Sequence, residues 1–349
     1  MNAINSTNPT NPLADDLDHI LAHTRDLWEE LRDQRIFITG GTGFFGCWLL
    51  ESFLWANDKL NLNAEVMVLT RNYETFLKKA PHLATHPAIK FHTGDIRNFK
   101  FPDGKFSHII HASGQLKESP ILTTFNLIVQ GTRQVLDFAI SCGAKKILFT
   151  SSGVVYGKQP SDITHIPEEY NGTHDPTDPS YDATYGIGKL AAEHLCALYS
   201  KQYCIETKIA RCFSFVGPYL SLDVHYAIGN FIRDGLNCRP IKVEGDGTPH
   251  RSYLYAADLS IWLWTILMKG ESCRPYNVGS EEDCIIEELA KIVSGAFKDK
   301  LAVEITKSLL TDKPAERYVP SVQRAFSELG LKQFIGLEKA IKKTARFNG

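Results

Sequence analysis

The sequence predicts an α/β fold, a doubly wound parallel sheet with a smaller C-terminal lobe. Three observations carry this expectation. From Arg35 to Arg211, short apolar runs alternate with stretches whose apolar residues recur at helical spacing. The first run, Ile36-Phe37-Ile38, leads straight into Thr39-Gly40-Gly41-Thr42-Gly43-Phe44-Phe45-Gly46, which reads as a strand entering a glycine-rich turn and then a helix. The segments between runs are long enough for the right-handed crossovers that parallel neighbours need.

Taken in order, residues 1–12 are polar, Asn-rich and expected to be disordered. Leu13, Leu17, Ile20, Leu21, Leu27, Trp28 and Leu31 then follow helical spacing. They predict an amphipathic helix over 13–31, packed on the outside of the main domain or against another copy. Strands are expected at 35–39, 65–69, 89–92, 108–111, 146–150 and 207–211, and helices at 44–56, 126–141 and 181–202. Past Gly217-Pro218 the alternation weakens. The chain therefore divides into an N-terminal tail and helix (1–34), a dinucleotide-binding domain (35–216 plus 253–269) and a lobe (217–252 plus 270–349) closing over the site. Ligands are expected beyond the carboxyl ends of the strands.

Composition excludes several classes. The formal net charge is −2 with no basic stripe, so no nucleic-acid partner is expected. The longest apolar stretch of the C-terminal half, 259–268, is about half a membrane span, and the first residues lack the basic and apolar regions of a signal peptide. The eight cysteines are scattered with no Cys-x-x-Cys pair, which reads as reduced thiols in the cytoplasm. His19 and His23 have metal-ligand spacing but no third ligand nearby, so no metal is expected.

In the first turn, Gly40 allows the tight bend, Gly43 a close approach of phosphates, and Gly46 the packing of helix on strand. Backbone N–H groups at the start of that helix suit a pyrophosphate. A second signal is Tyr185-Gly186-Ile187-Gly188-Lys189, where the phenol and ammonium share one helix face. The lysine is expected to lower the tyrosine pKa, giving a phenol that exchanges a proton with a carbonyl or hydroxyl. The third is Thr150-Ser151-Ser152-Gly153-Val154-Val155-Tyr156-Gly157, which brings a serine to the carboxyl edge of the sheet.

With these in hand the chain resembles the extended short-chain dehydrogenase/reductase family, in its nucleotide-sugar epimerase/dehydratase branch, over roughly residues 35–330. The resemblance runs through Gly40 to Gly46, Gly94-Asp95-Ile96, His111-Ala112-Ser113-Gly114, Ser151 to Gly157, Tyr185 to Lys189, and Arg211 to Pro218. It continues through Gly229-Asn230-Phe231-Ile232, Gly245-Asp246-Gly247 with Arg251, and Tyr276-Asn277-Val278-Gly279. It implies a Rossmann-type sheet with a C-terminal substrate-binding lobe, an NAD(P) cofactor and a nucleotide-diphosphate sugar as substrate. It makes Ser152, Tyr185 and Lys189 the catalytic trio, Ser152 being the hydroxyl four residues before Tyr156. The implied cofactor contacts are Gly40, Gly43, Phe44, Phe45, Gly46, Asp95, Ile96, His111, Ala112, Ser113, Tyr185 and Lys189. Arg251 would pair with the diphosphate and Asn230 hold the nucleotide portion. Ser214 stands where many relatives carry an asparagine on the diphosphate. Relatives are commonly dimers through helices that would here include 181–202, so a homodimer is expected.

The departures bear on the reaction. In the resembled family, 4,6-dehydratases carry an acidic pair where this chain has Gly153 and Val154, decarboxylases a glutamate at the place of Val154, and fucose-type epimerase-reductases a cysteine there. Neither side chain here can move a proton, which disfavours all three and leaves redox at C4. The second strand ends in Leu69-Thr70-Arg71-Asn72, with no acid for a ribose 2′-hydroxyl but an arginine for a 2′-phosphate. NADP(H) is therefore favoured over NAD(H), and a 4-ketoreductase over a 4-epimerase with tightly bound NAD. A non-catalytic dinucleotide sensor is a third reading, against which the intact Ser152, Tyr185 and Lys189 stand. The long, Pro- and Asp-rich stretch 158–180 beside the site is expected to carry specificity, with His165 and Tyr170 touching the sugar.

Overall fold

A computed structural model describes residues 11–114, 119–224, 226–298, 300–307 and 314–349. The expectation of disorder at 1–12 falls, up to residue 10, outside the described residues.

Along the chain come α1 (Ala14–Thr24), β1 (Arg35–Thr39), α2 (Phe44–Leu60), β2 (Glu65–Thr70), β3 (Ile89–Thr93), β4 (His108–His111), α3 (Ile121–Cys142) and β5 (Lys146–Ser152). They are followed by α4 (Tyr181–Tyr203), β6 (Glu206–Cys212), α5 (Ala227–Leu236), α6 (Ala256–Lys269) and β7 (Pro275–Val278). The seven strands form one sheet in the order β7-β6-β5-β4-β1-β2-β3, every pair parallel. This is a Rossmann-like doubly wound sheet. Covered on both faces, its inner strands read as unbroken apolar runs; Ile36, Phe37 and Ile38 are wholly buried. Strand order reverses between β1 and β4, and a crevice opens beyond their carboxyl ends.

β7 lies inside the stretch expected from sequence to belong to the lobe, and it pairs with β6 as the edge of the main sheet. Pro275 pairs with Ile209 and Val278 with Cys212. The expected 13–31 helix is α1 plus a 3₁₀ turn, Arg25–Leu31, and it packs on α2 and α6. Leu17, Ile20, Leu27, Trp28 and Leu31 are buried there, each contributing on the order of 2 kcal/mol. Trp28 meets Trp264 at 4.7 Å, and Asp16 accepts from Tyr255 and Lys343, both at 2.8 Å. In a separate small sheet, His250–Ser252 pairs antiparallel with Asp283–Ile285 and parallel with Arg317–Tyr318, setting Tyr318 beside Arg251. No helix among the described residues is long and apolar enough to cross a membrane.

Candidate active site

The turn after β1 has the shape a dinucleotide needs. Gly40 has φ +73°, and a Cβ on it would stand 2.3 Å from the carbonyl oxygen of Ala112. A Cβ on Gly46 would stand 2.3 Å from that of Gly40, so α2 seats directly on the turn. Gly43 caps α2 without a side-chain bond, leaving its first N–H groups to a ligand. A cavity of about 320 Å³ runs along this edge, lined by Gly40, Asp95, Ile96, His111, Ser113 and Lys189 among others. The bare backbone, helix N-terminus and cavity together fit a nicotinamide dinucleotide. Phe44 and Phe45 turn their rings to the core, Phe45 edge-on to Phe215 at 5.1 Å, so only their backbone N–H groups are placed for phosphate. His111 is a tie rather than a proton carrier. Its ring bridges Thr39 (2.8 Å) and Thr132 (3.0 Å), and burial lowers its pKa to about 3.

Arg71 lines the same cavity, exposed, at the end of β2. Asp95 is held in a two-bond grip by Arg97, at 2.9 Å each, which with the charge of Arg71 keeps its carboxyl below the usual range. Lys79 is a contributor that the sequence reading passed over. It ends the short helix Tyr73–Lys79, lines the cavity, and donates to the carbonyl of Thr42 at 3.0 Å.

Tyr185 and Lys189 lie on one face of α4, and Ser152 ends β5. The buried Lys189 ammonium donates to the carbonyl of Thr150 at 2.8 Å and sits 5.7 Å from the Tyr185 ring centre. Burial lowers the lysine to about 8, while Cys212, Glu193 and Cys196 pull it upward. The phenol contradicts expectation: burial, then Tyr318, Tyr226, Tyr181 and Cys212, raise Tyr185 above its ordinary value. Lys189 gives its hydrogen bond to the backbone, and its distant charge does not offset desolvation. The Ser152 hydroxyl accepts from the amide of Val154 at 3.2 Å, with the Tyr318 phenol on the same side. Ser151 bonds instead to Glu193, which is paired with Arg211 at 2.7 Å beneath the site.

The remaining predicted residues lie outside the cofactor cavity's lining. Arg251 donates to Glu316 at 2.6 Å and to the carbonyl of His250 at 2.8 Å. Asn230, on α5, sets its side-chain amide against the carbonyls of Val224 (3.0 Å) and Leu222 (3.1 Å), an arrangement that a donating amide nitrogen satisfies. Ser214 is half-buried and its carbonyl accepts from Leu254 at 3.0 Å. His165 and Tyr170 each make contacts away from the cofactor cavity. His165 bonds the carbonyl of Glu281 at 3.0 Å, and Tyr170 packs near Tyr156 in a small apolar cluster with Val155 and Ile166. Loop 158–180 uses both as anchors to its own scaffold, and brings His174 to the turn after β5 instead.

A sequence model of the NAD dependent epimerase/dehydratase family matches residues 36–279. The chain belongs to this family. It is 29% identical over 317 residues to UDP-glucuronic acid decarboxylase 6 of Arabidopsis thaliana, covering 88% of this chain and 87% of that one. It is 27% identical to UDP-glucuronic acid decarboxylase 1 of Danio rerio, covering 90% and 72%. Among solved structures, an epimerase of Methanothermobacter thermautotrophicus superposes with a TM-score of 0.75 at 21% identity, over 94% of this chain and 95% of that one. A UDP-glucuronic acid 4-epimerase of Bacillus cereus, in complex with NAD, gives 0.73 at 20% identity over 90% and 96%. At such identities the likeness is one of fold.

The turn after β5 is tightly filled. A Cβ on Gly153 would stand 2.6 Å from the ring of Phe213, so the ring occupies the space of a side chain there. Phe213 is itself packed on Tyr318 at 4.7 Å. Val154, next to it, turns its backbone to Ser152 and His174. The aromatic surroundings of Tyr185 also escaped sequence reading. Tyr181 stacks on it at 6.3 Å and 9°, one helical turn away, while Tyr226 and Tyr318 come from segments far along the chain.

Proposed function

We propose that this protein catalyses NAD(P)-dependent oxidation–reduction at C4 of a nucleotide-diphosphate sugar, working as a 4-ketoreductase. The observation that carries the reading is the run Gly153-Val154-Val155, whose side chains offer no acid or base beside Ser152 and Tyr185 and where Phe213 fills the space of one. Dehydration across C5 and C6 and epimerisation at C3 or C5 need such a group; C4 redox does not. A bound nicotinamide would supply the hydride. Ser152 and Tyr185 would hold the C4 oxygen, with Tyr185 giving it the proton and the Lys189 charge favouring the phenolate that results. Arg251, released from Glu316, would take the diphosphate, with Asn230 and Ser214 nearby for the nucleotide portion. In this reading 217–252, and 279–349 beyond β7, form the substrate lobe.

Arg71 and Lys79 support NADP(H) over NAD(H), since both cations line the cofactor cavity. The same proposal places the enzyme in the cytoplasm as a homodimer through α3 and α4, where Ile121, Leu122, Leu190 and Leu198 lie exposed. The relatives favour a second reading, decarboxylation of UDP-glucuronic acid, in which oxidised C4 would leave a β-keto acid; Val154 in place of the family glutamate weighs against it. A 4-epimerase with retained NAD is the third.

Purified protein incubated with UDP-, dTDP-, CDP- and GDP-sugars and their 4-keto forms, UDP-glucuronic acid included, separates these by mass and nicotinamide absorbance. The expected result is gain of two hydrogens by a 4-keto sugar with stoichiometric NADPH oxidation. Release of carbon dioxide from UDP-glucuronic acid, or isomerisation by protein carrying unexchanged NAD, would overturn it.

A further inference from the structure

Loop 158–180 brings one side chain into the framework of the site that the reaction above does not use. His174 is half-buried, with Nε2 2.8 Å from the carbonyl of Val154. A carbonyl only accepts, so Nε2 carries the proton and donates. The amide of that same Val154 donates to Ser152 Oγ. Gly186, the residue after Tyr185, presses on the same spot. A Cβ on it would come 2.5 Å from His174 Cδ2, 2.6 Å from Nε2 and 2.8 Å from the Val154 oxygen. One imidazole thus sits where the strand end bearing Ser152 meets the helix bearing Tyr185.

The segment behind it is braced. Asp175 accepts from the amide and hydroxyl of Thr177 at 2.8 and 2.7 Å. Asp178 does the same for Ser180, at 2.8 Å each, and Ser180 caps α4 by accepting from the amide of Ala183 at 3.3 Å. From His174 to the first turn of α4 the chain is a run of side-chain-locked turns, closed into a loop by the bond to Val154.

We propose that His174 is a positioning residue that fixes the separation of Ser152 and Tyr185, acting through Val154 and Gly186 without touching the sugar. The inference rests on the C4 redox reading given above. The Val154 carbonyl also accepts from the amide of Gly157 at 3.0 Å, so losing the imidazole leaves it partly satisfied and the fold intact. What changes is the hold on the serine and the tyrosine.

The test uses the full chain as H174Q, which keeps an amide donor near the Nε2 position, and as H174N and H174A, which do not. With whichever sugar nucleotide the wild type turns over, H174N and H174A should lose kcat by about tenfold, a fraction of what a 1 Å misplacement costs. KM for sugar and cofactor should stay within about twofold, and H174Q should recover most of kcat. Hydrogen exchange at the amides of Val154 and Gly157 should quicken in H174N and H174A and stay near wild type in H174Q. Equal kcat and exchange in H174Q and H174N, or an H174A protein indistinguishable from wild type, would overturn the proposal. Because exchange is read without substrate, a wild type that turns over no sugar nucleotide would refute the C4 reading while the positioning role is still decided.

Discussion

Replacing Lys189 with methionine tests whether this lysine is held in the fold against its own solvation. Its Nζ is buried and donates to the carbonyl of Thr150 at 2.8 Å, and burial takes it from an ordinary 10.5 to about 8. At 1.36 kcal/mol per pH unit, that fall corresponds to roughly 3 kcal/mol against folding below pH 8. Losing the hydrogen bond takes back about 1 kcal/mol, so near neutral pH the variant should be about 2 kcal/mol more stable than wild type. The sign with pH follows from linkage. The unfolded lysine keeps its proton to 10.5 while the folded one releases it near 8, so the unfolded state binds more protons in between and wild-type stability rises with pH. Between about pH 7.5 and 9.5 the advantage of the variant should shrink by about 2 kcal/mol. Urea unfolding of both proteins, stripped of nucleotide, gives this difference directly, and the tyrosines that titrate at higher pH cancel in it. A pH-independent difference, or a variant less stable than wild type throughout, would refute the burial argument. Turnover should be lost in the variant regardless.

Gly46→Ala brings a Cβ to 2.3 Å from backbone, where ordinary contact begins at 3.4 Å, so α2 must back off by about 1.1 Å. We expect a loss of about 1–3 kcal/mol in urea unfolding and NADPH binding, followed by fluorescence, weakened at least tenfold; unchanged binding would mean that phosphate is held elsewhere. Arg71→Ala and Lys79→Ala should each weaken NADPH by about tenfold, as the loss of one charge-assisted hydrogen bond does, while leaving NADH within about twofold; equal losses for both cofactors would assign the cations to adenine. Glu193→Gln strands Arg211, whose side chain is 11% exposed in a pair with a 7% exposed partner. About 3–5 kcal/mol should be lost, read as a lower midpoint in urea with an unchanged slope.

Much of the fold was legible because parallel strands buried on both faces cannot hide. β1 and β4 have the boundaries that their apolar runs predict. β7 escaped because it is only four residues long and includes the polar Asn277. In the fold Asn277 is wholly buried and satisfied by Tyr156 (2.8 Å), Glu168 (2.8 Å), Ile166 (2.9 Å) and Ser321 (3.0 Å), partners far away in sequence. The same limit applies at the site. Spacing placed Tyr185 and Lys189 on one helix face, but the direction of the phenol's shift depends on how deeply both are buried. Likewise the chain shows that 158–180 is long; which of its histidines turns inward is decided by the bare Cα of Gly186, against which His174 lies.

The trio also owes its geometry to regular structure more than to loops. On α4, Tyr185, Lys189 and Glu193 recur every fourth residue, about 6 Å apart along one face. Lys189 meets the carbonyl of Thr150 and Glu193 the hydroxyl of Ser151, so this helix face lies along the end of β5. Strand alternation then sends Ser151 and Ser152 to opposite faces. Ser151 is taken by the Glu193–Arg211 pair that joins α4 to β6, and Ser152 is left on the side of Tyr318 and the Tyr185 surroundings. A serine shifted by one place along the strand would serve the ion pair and not the ligand. That register argument, resting on which hydroxyl Glu193 consumes, is a physical reason to assign the reacting hydroxyl to Ser152.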